Sequence, residues 1–248
     1  MIIDDEENNI KAIYIKIPKT GGTTISSNIL SRYNQIFTPK FWNNNKSWNK
    51  NNKFRNNFNS NKKNYENVIN LNLVEDFKSS NCGWHVPYFK ITEYLNSENK
   101  PIEEYTKFSI IREPVSRFIS QYRFLDSLSY HFSNAMRSID YYFDFIYNND
   151  KRMKEYDIVF SRKQTYWLND ENGLVPEDMK LFTTKTMNDK KTIDYLNDVF
   201  NLKFNTKNRI NVSNKFKKIK ISSELRSKIE NYFSEDCELY EKTKNSLK

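Results

Sequence analysis

The sequence predicts an α/β fold: one domain over residues 1–248, a three-layer sandwich whose mostly parallel central sheet carries helices on both faces. Three observations predict it. The alternating run Ile13, Ile15 and Ile17 passes through Gly21-Gly22 into the helical spacing of Ile25, Ile29 and Leu30. The compact apolar run at 108–111 fits a buried parallel strand and leads straight to Pro114, a residue suited to a helix's first turn. Apolar stripes then recur at helical spacing as far as Tyr240. A chain of 248 residues has room for one such domain with a sizeable core, and little room for two.

The first strand–helix unit is expected over residues 12–33. Residues 43–64 follow as a basic Asn/Lys-rich insertion loop with Lys46, Lys50, Lys53, Arg55, Lys62 and Lys63 and no acidic residue. Its sparse Trp48, Phe54 and Phe58 keep no period, so it reads as a solvated linker or as a basic flap over an acidic substrate. Residues 68–74 alternate briefly like a strand, with a helical continuation left open. Residues 82–88, bounded by Gly83 and Pro87, read as a short strand or strand end. The helix opened by Pro114 carries Val115, Phe118, Ile119, Tyr122 and Leu125 on one face. Further helices are expected over 139–147, 161–168 and 189–200. A single C-terminal helix is lined by Leu225, Ile229, Phe233 and Tyr240 and capped by Ser222 or Ser223.

Lys and Arg total 40 against 31 Asp and Glu, and the resulting +9 suits an anionic partner without choosing among nucleotide, nucleic acid, acidic membrane and polyanionic glycan. No apolar stretch approaches the roughly 18 residues that span a bilayer. The acidic start Asp4, Asp5, Glu6, Glu7 is unlike a secretory leader, so a soluble and cytoplasmic protein is expected. Cys82 and Cys237 lie far apart and fit no metal spacing; they form one disulfide or remain two thiols.

Two motifs carry chemistry. In Pro18-Lys19-Thr20-Gly21-Gly22-Thr23-Thr24, two of the chain's four glycines sit side by side between a strand and a helix. That arrangement brings backbone N–H groups around a phosphate. Lys19 adds a point charge, and Thr20, Thr23 and Thr24 add hydroxyls. It is not the G-x-x-x-x-G-K-[ST] loop, because Lys19 precedes the glycines and none lies upstream of it. The second motif, Arg112-Glu113-Pro114-Val115-Ser116-Arg117-Phe118-Ile119-Ser120, also stands at a strand-to-helix junction. Arg112 offers a fork that matches a phosphate monoester and Ser120 a further donor; Arg117 fits either the nucleotide or a salt bridge. Ligands of open α/β sheets bind at the carboxyl ends of strands, where both motifs are expected. Between them lies His85, an imidazole able to take a proton near neutral pH. The other histidine, His131, has no motif context.

The first motif resembles the 5′-phosphosulfate loop of sulfotransferases that use 3′-phosphoadenosine 5′-phosphosulfate (PAPS), and the Arg112–Ser120 spacing resembles their 3′-phosphate motif. Cys82-Gly83-Trp84-His85 is similar to the Cys-Gly-x-His motif of heparan sulfate 6-O-sulfotransferases. Ser161-Arg162-Lys163-Gln164 and Phe200-Asn201-Leu202-Lys203-Phe204 resemble further segments of that family. The resemblance implies the P-loop-like sulfotransferase fold, PAPS as donor, PAP as product and no metal. It implies Lys19 and the backbone from Gly21 to Thr24 on the 5′-phosphosulfate, Arg112 and Ser120 on the 3′-phosphate, and His85 as catalytic base, with Lys19 easing the leaving phosphate. Arg209, Ser213 and Lys215 are candidates for a late basic loop over the 3′-phosphate and adenine. Trp84, Arg162, Lys163 and Gln164 are candidates for the acceptor. The acceptor implied is an acidic carbohydrate hydroxyl, with the 6-O position of a glycosaminoglycan-like glycan as the specific case; neither a nucleic-acid partner nor a membrane span is expected. Departures from the family are the absence of its usual membrane anchor and its many cysteines. Two other readings share the loop: a small-molecule kinase, disfavoured by the lack of a carboxylate pair for Mg²⁺, and a non-catalytic glycan- or polyanion-binding protein.

Overall fold

The computed structural model describes residues 1–32, 68–69, 85–127, 138–147, 162–204 and 219–247. Its sheet has five strands, β1 (Ile2–Asp5), β2 (Ile10–Ile15), β3 (Val68–Ile69), β4 (Thr106–Ile111) and β5 (Lys180–Thr183), in the order β3-β1-β2-β4-β5. β2 pairs parallel with β4, and β4 parallel with β5. β1 is antiparallel to both of its neighbours, so four of the five strands run the same way. The α/β fold expected from the sequence is therefore the fold observed. The helices are α1 (Gly22–Arg32), α2 (Tyr88–Ser97), α3 (Pro114–Ser127), α4 (Ile139–Tyr147), α5 (Gln164–Leu168), α6 (Lys190–Phe200), α7 (Ser223–Tyr232) and α8 (Ser234–Ser246).

Alternation along each strand sends successive side chains to opposite faces, and both faces are covered. Tyr14 and Phe108 point to one side, where Ile25 and Ile29 of α1 and Leu196 and Phe200 of α6 pack on them. Tyr14 stacks on Phe108 with ring centroids 4.9 Å apart. Ile13, Ile15 and Ile111 point to the other side, against Ile91 and Leu95 of α2, Trp167 of α5 and Tyr240 of α8. Val115 and Phe118 of α3 join Tyr142 of α4 and Ile229 of α7 in a third cluster. No described helix is long and apolar enough to cross a membrane.

Four expectations are corrected. Residues 85–87 are irregular and Tyr88 opens α2, so the strand expected through Tyr88 gives way to a helix whose Tyr88, Ile91 and Leu95 are buried. Pro87, with φ −63° and ψ 152°, is extended and sets the helix start. The single C-terminal helix is two, broken at Phe233 (φ −96°, ψ 30°), with Ser222 capping the first through Leu225 N–H at 3.0 Å. β1 was not expected. A turn closed by Asn9 in the left-handed region (φ 53°) folds it onto β2, and Asp5 accepts from the Asn8 backbone and side chain. β5 was not expected either. The strand at 68–74 is seen as Val68–Ile69, and 70–74 lie outside the described residues. So do the 43–64 insertion, Cys82, Trp84, His131, Ser161, Arg209, Ser213 and Lys215. Cys237 carries a free thiol.

Candidate active site

The parallel pairing of β2 and β4, with Ile15 opposite Ser109, brings the carboxyl ends of the two strands side by side. The Ser109 hydroxyl reinforces this by donating to Ile15 C=O at 2.7 Å. The segment after β2 and the junction after β4 are therefore neighbours, and side chains of the second bind the backbone of the first.

The first segment curls because Lys19 (φ 66°) and Gly21 (φ 80°) both adopt the left-handed region. Thr20, fully buried, donates its hydroxyl to Ile17 C=O at 3.0 Å, so that hydroxyl braces the loop. Thr24 N–H reaches Gly21 C=O at 3.2 Å, while Thr23 is partly exposed and Thr24 buried. Helix α1 begins at Gly22, and the first N–H groups and positive dipole end of a helix attract negative charge. Gly22 is needed for space: a Cβ there would lie 2.6 Å from the Tyr14 hydroxyl oxygen and 2.9 Å from Lys16 Cγ. Gly22→Ala is expected to destabilise the fold by about 1–3 kcal/mol through overpacking. Tyr14→Phe in the same chain, by deleting the clashing oxygen, is expected to recover part of that loss in urea unfolding.

The second motif grips the first. Arg112 Nη1 donates to Lys19 C=O at 3.2 Å, and the buried Arg117 donates through Nε to Pro18 C=O at 3.1 Å. Glu113 spends its carboxylate on the start of α3, accepting from Val115 N–H at 3.2 Å and Ser116 N–H at 2.7 Å. Arg112 is thus left to the loop. Lys19 Nζ sits 4.0 Å from the Phe124 ring centroid, a cation–π contact. Burial, and then the charge of Arg112, lower the Lys19 pKa to about 8. Arg112 is likewise lowered, mainly by burial. Ser120 lies partly exposed on α3.

His85 joins the same cluster. Its Nδ1 donates to Lys16 C=O at 2.6 Å, which fixes the tautomer and leaves the lone pair on Nε2. Trp167 stands edge-on at 6.1 Å between ring centroids. Burial and the Lys16 charge lower the His85 pKa to about 3, with smaller contributions from Lys19 and Arg117, so the ring is neutral at physiological pH. Lys16 was not singled out by sequence reasoning. It follows the alternating strand and is buried, with a pKa lowered to about 7 by desolvation. A lysine inside an otherwise apolar strand end was the signal available.

The acceptor candidates diverge. Arg162 lies over the Tyr166 ring at 4.0 Å. Lys163 pairs with Glu235 of α8 at 2.6 Å. Gln164 is buried, and both ends of its amide are engaged with the Arg112 backbone. Gln164 is thus withdrawn from the surface, whereas Lys163 holds its ion pair at the surface. Among the described residues, no group of three or more His, Cys, Asp and Glu is placed to hold a metal ion.

A family model described as "Sulfotransferase family" matches residues 1–173, a span that takes in both motifs, His85 and Gln164. No curated protein and no solved structure matches the chain.

Proposed function

The chain belongs to the sulfotransferase family, and we propose that it moves a sulfuryl group from PAPS to the hydroxyl of an acidic carbohydrate. The observation that carries the reading is the Arg112 Nη1 bond to Lys19 C=O at 3.2 Å. It joins the two motifs into one desolvated cationic cluster centred on Lys19 and Arg112, with His85 beside it. Buried cations with lowered pKa values call for an anion, and a donor with both a 5′ and a 3′ anionic group answers both motifs.

In this reading PAPS supplies the activated sulfuryl group. Lys19 and the N-terminal N–H groups of α1 hold the 5′ end and neutralise the charge left on its phosphate when the sulfur–oxygen bond breaks. Arg112 and Ser120 hold the 3′-phosphate. As the acceptor oxygen bonds to sulfur, its proton passes to His85 Nε2, and the Nδ1–H bond to Lys16 C=O steadies the imidazolium so formed. The net +9 favours an acidic glycan as acceptor, and the 6-O position of a glycosaminoglycan-like chain is the specific case the motifs suggest. Thermal unfolding tests the donor assignment. PAP is expected to raise Tm and ATP–Mg²⁺ to leave it unchanged; a rise with ATP–Mg²⁺ alone would overturn the PAPS donor reading.

A further inference from the structure

Arg112 is the first residue beyond β4, past the last strand pairing of Ile111 with Thr183. Its backbone is nevertheless held as if the sheet continued. Gln164, 52 residues away, accepts the Arg112 N–H at Oε1 (2.8 Å) and donates from Nε2 to the Arg112 C=O (2.8 Å). One side-chain amide thus supplies the two bonds that a neighbouring strand would supply.

The amide is itself seated. Gln164 opens α5 and is 1% exposed. Its own N–H donates to Asp236 Oδ2 at 2.7 Å, and the next N–H, of Thr165, donates to Asp236 Oδ1 at 3.0 Å. Asp236 is also 1% exposed and lies in the first turn of α8. A chain of hydrogen bonds therefore runs from α8 through Gln164 to the Arg112 backbone, and from the Arg112 guanidinium to Lys19. α5 has a separate hold on the core through buried Trp167 and Leu168, so the amide is not what keeps the helix docked.

We propose that Gln164, seated by Asp236, is a positioning residue of the donor site: it fixes the Arg112 backbone so that the guanidinium meets the 3′-phosphate beside Lys19. The assignment rests on the PAPS reading above. It gives Gln164 a role in donor binding instead of acceptor contact. It also brings into the site a residue, Asp236, beyond the 1–173 span of the family match.

Titration calorimetry with PAP and with AMP, which lacks the 3′-phosphate, tests it. Gln164→Met keeps the volume and deletes both bonds. It is expected to weaken PAP by about tenfold or more, equivalent to about 1.4 kcal/mol, with AMP affinity little changed. Gln164→Glu gives a readout that a packing role would not move. A protonated carboxyl presents the same donor and acceptor pair as the amide, whereas the carboxylate sets an oxygen against Arg112 C=O. Its PAP affinity, relative to wild type at each pH, is expected to recover as pH falls. Asp236 faces the site from α8, and Arg112 and Arg117 from the β4–α3 side. The wild-type ratio cancels their titration and that of the ligand. Should Gln164→Met not fold, Gln164→Glu decides alone. An unchanged PAP affinity in these variants would overturn the proposal while leaving the donor reading intact. Equal losses for PAP and AMP, without pH recovery, would overturn it as a packing defect. Failure of the wild-type protein to bind PAP would overturn the proposal and the donor reading together.

Discussion

His85→Asn is expected to lower kcat for sulfuryl transfer by about 10²–10⁴-fold and to leave the affinity for PAP unchanged. Asparagine can keep a donor on Lys16 C=O, the bond that Nδ1 makes at 2.6 Å, so the loop stays supported while the Nε2 lone pair is removed. In the proposed mechanism the carbonyl fixes the tautomer of His85, and burial, then the surrounding cations, keep the ring neutral. The same field makes it a weak base before the donor arrives, with a pKa near 3. Burial cannot be undone by a ligand, but the charges of Lys16, Lys19 and Arg117 can be offset by bound anions. An anionic donor is therefore expected to raise the His85 pKa. The acid limb of kcat, which reports the complex, is accordingly expected at higher pH than that of kcat/KM, which reports the free protein. Coincident limbs that persist in His85→Asn would assign the proton transfer to another group.

Arg112→Lys is the second substitution with a large expected effect, a loss of about 10–100-fold in PAP affinity. Charge-assisted hydrogen bonds contribute about 1.5–3 kcal/mol, and lysine keeps the charge while losing the planar fork. It also loses the geometry that lets one guanidinium hold Lys19 C=O and face an anion together. AMP is expected to bind the variant nearly as it binds wild type, since the 3′ group alone is affected. Loss of both ligands in parallel would mean that Arg112 shapes the Lys19 loop more than it binds phosphate.

The parts of the fold visible in sequence are those where the period changes sharply. Alternation over Ile13, Ile15 and Ile17 breaks at a glycine pair and resumes as a helical stripe; the run at 108–111 breaks at Pro114 in the same way. Period alone misled where it was interrupted or where it bridged a break. Gly83 and Pro87 made 82–88 look like a strand end and hid the Tyr88, Ile91, Leu95 stripe behind it. Phe233 continues the apolar spacing across the point where the helix ends, so α7 and α8 read as one. Asp4 and Asp5 read only as part of an acidic start, although Asp5 is buried and binds the Asn8 turn. β5 is four residues long, too short for a period to register.

The site divides in the same manner. Lys19, Arg112 and His85 stand in local motifs whose chemistry can be read from neighbouring residues, and the structure gathers them in one electrostatic cluster. Gln164 and Asp236 act on backbone groups far away in sequence, 52 residues apart in one case and 72 in the other. Nothing local marks such partners. A glutamine beside Arg162 and Lys163 read as a surface contact because its true partner is a backbone amide brought there by the sheet.

Radiolabelled sulfur in PAPS, followed into a panel of acidic and neutral polysaccharides alongside PAP release, puts the proposed chemistry to the test. Label is expected in an acidic polysaccharide, in step with PAP formed, and is expected to fall to background in His85→Asn. PAP binding without label in any polysaccharide, or transfer that survives in His85→Asn, would contradict the mechanism drawn from Lys19, Arg112 and His85.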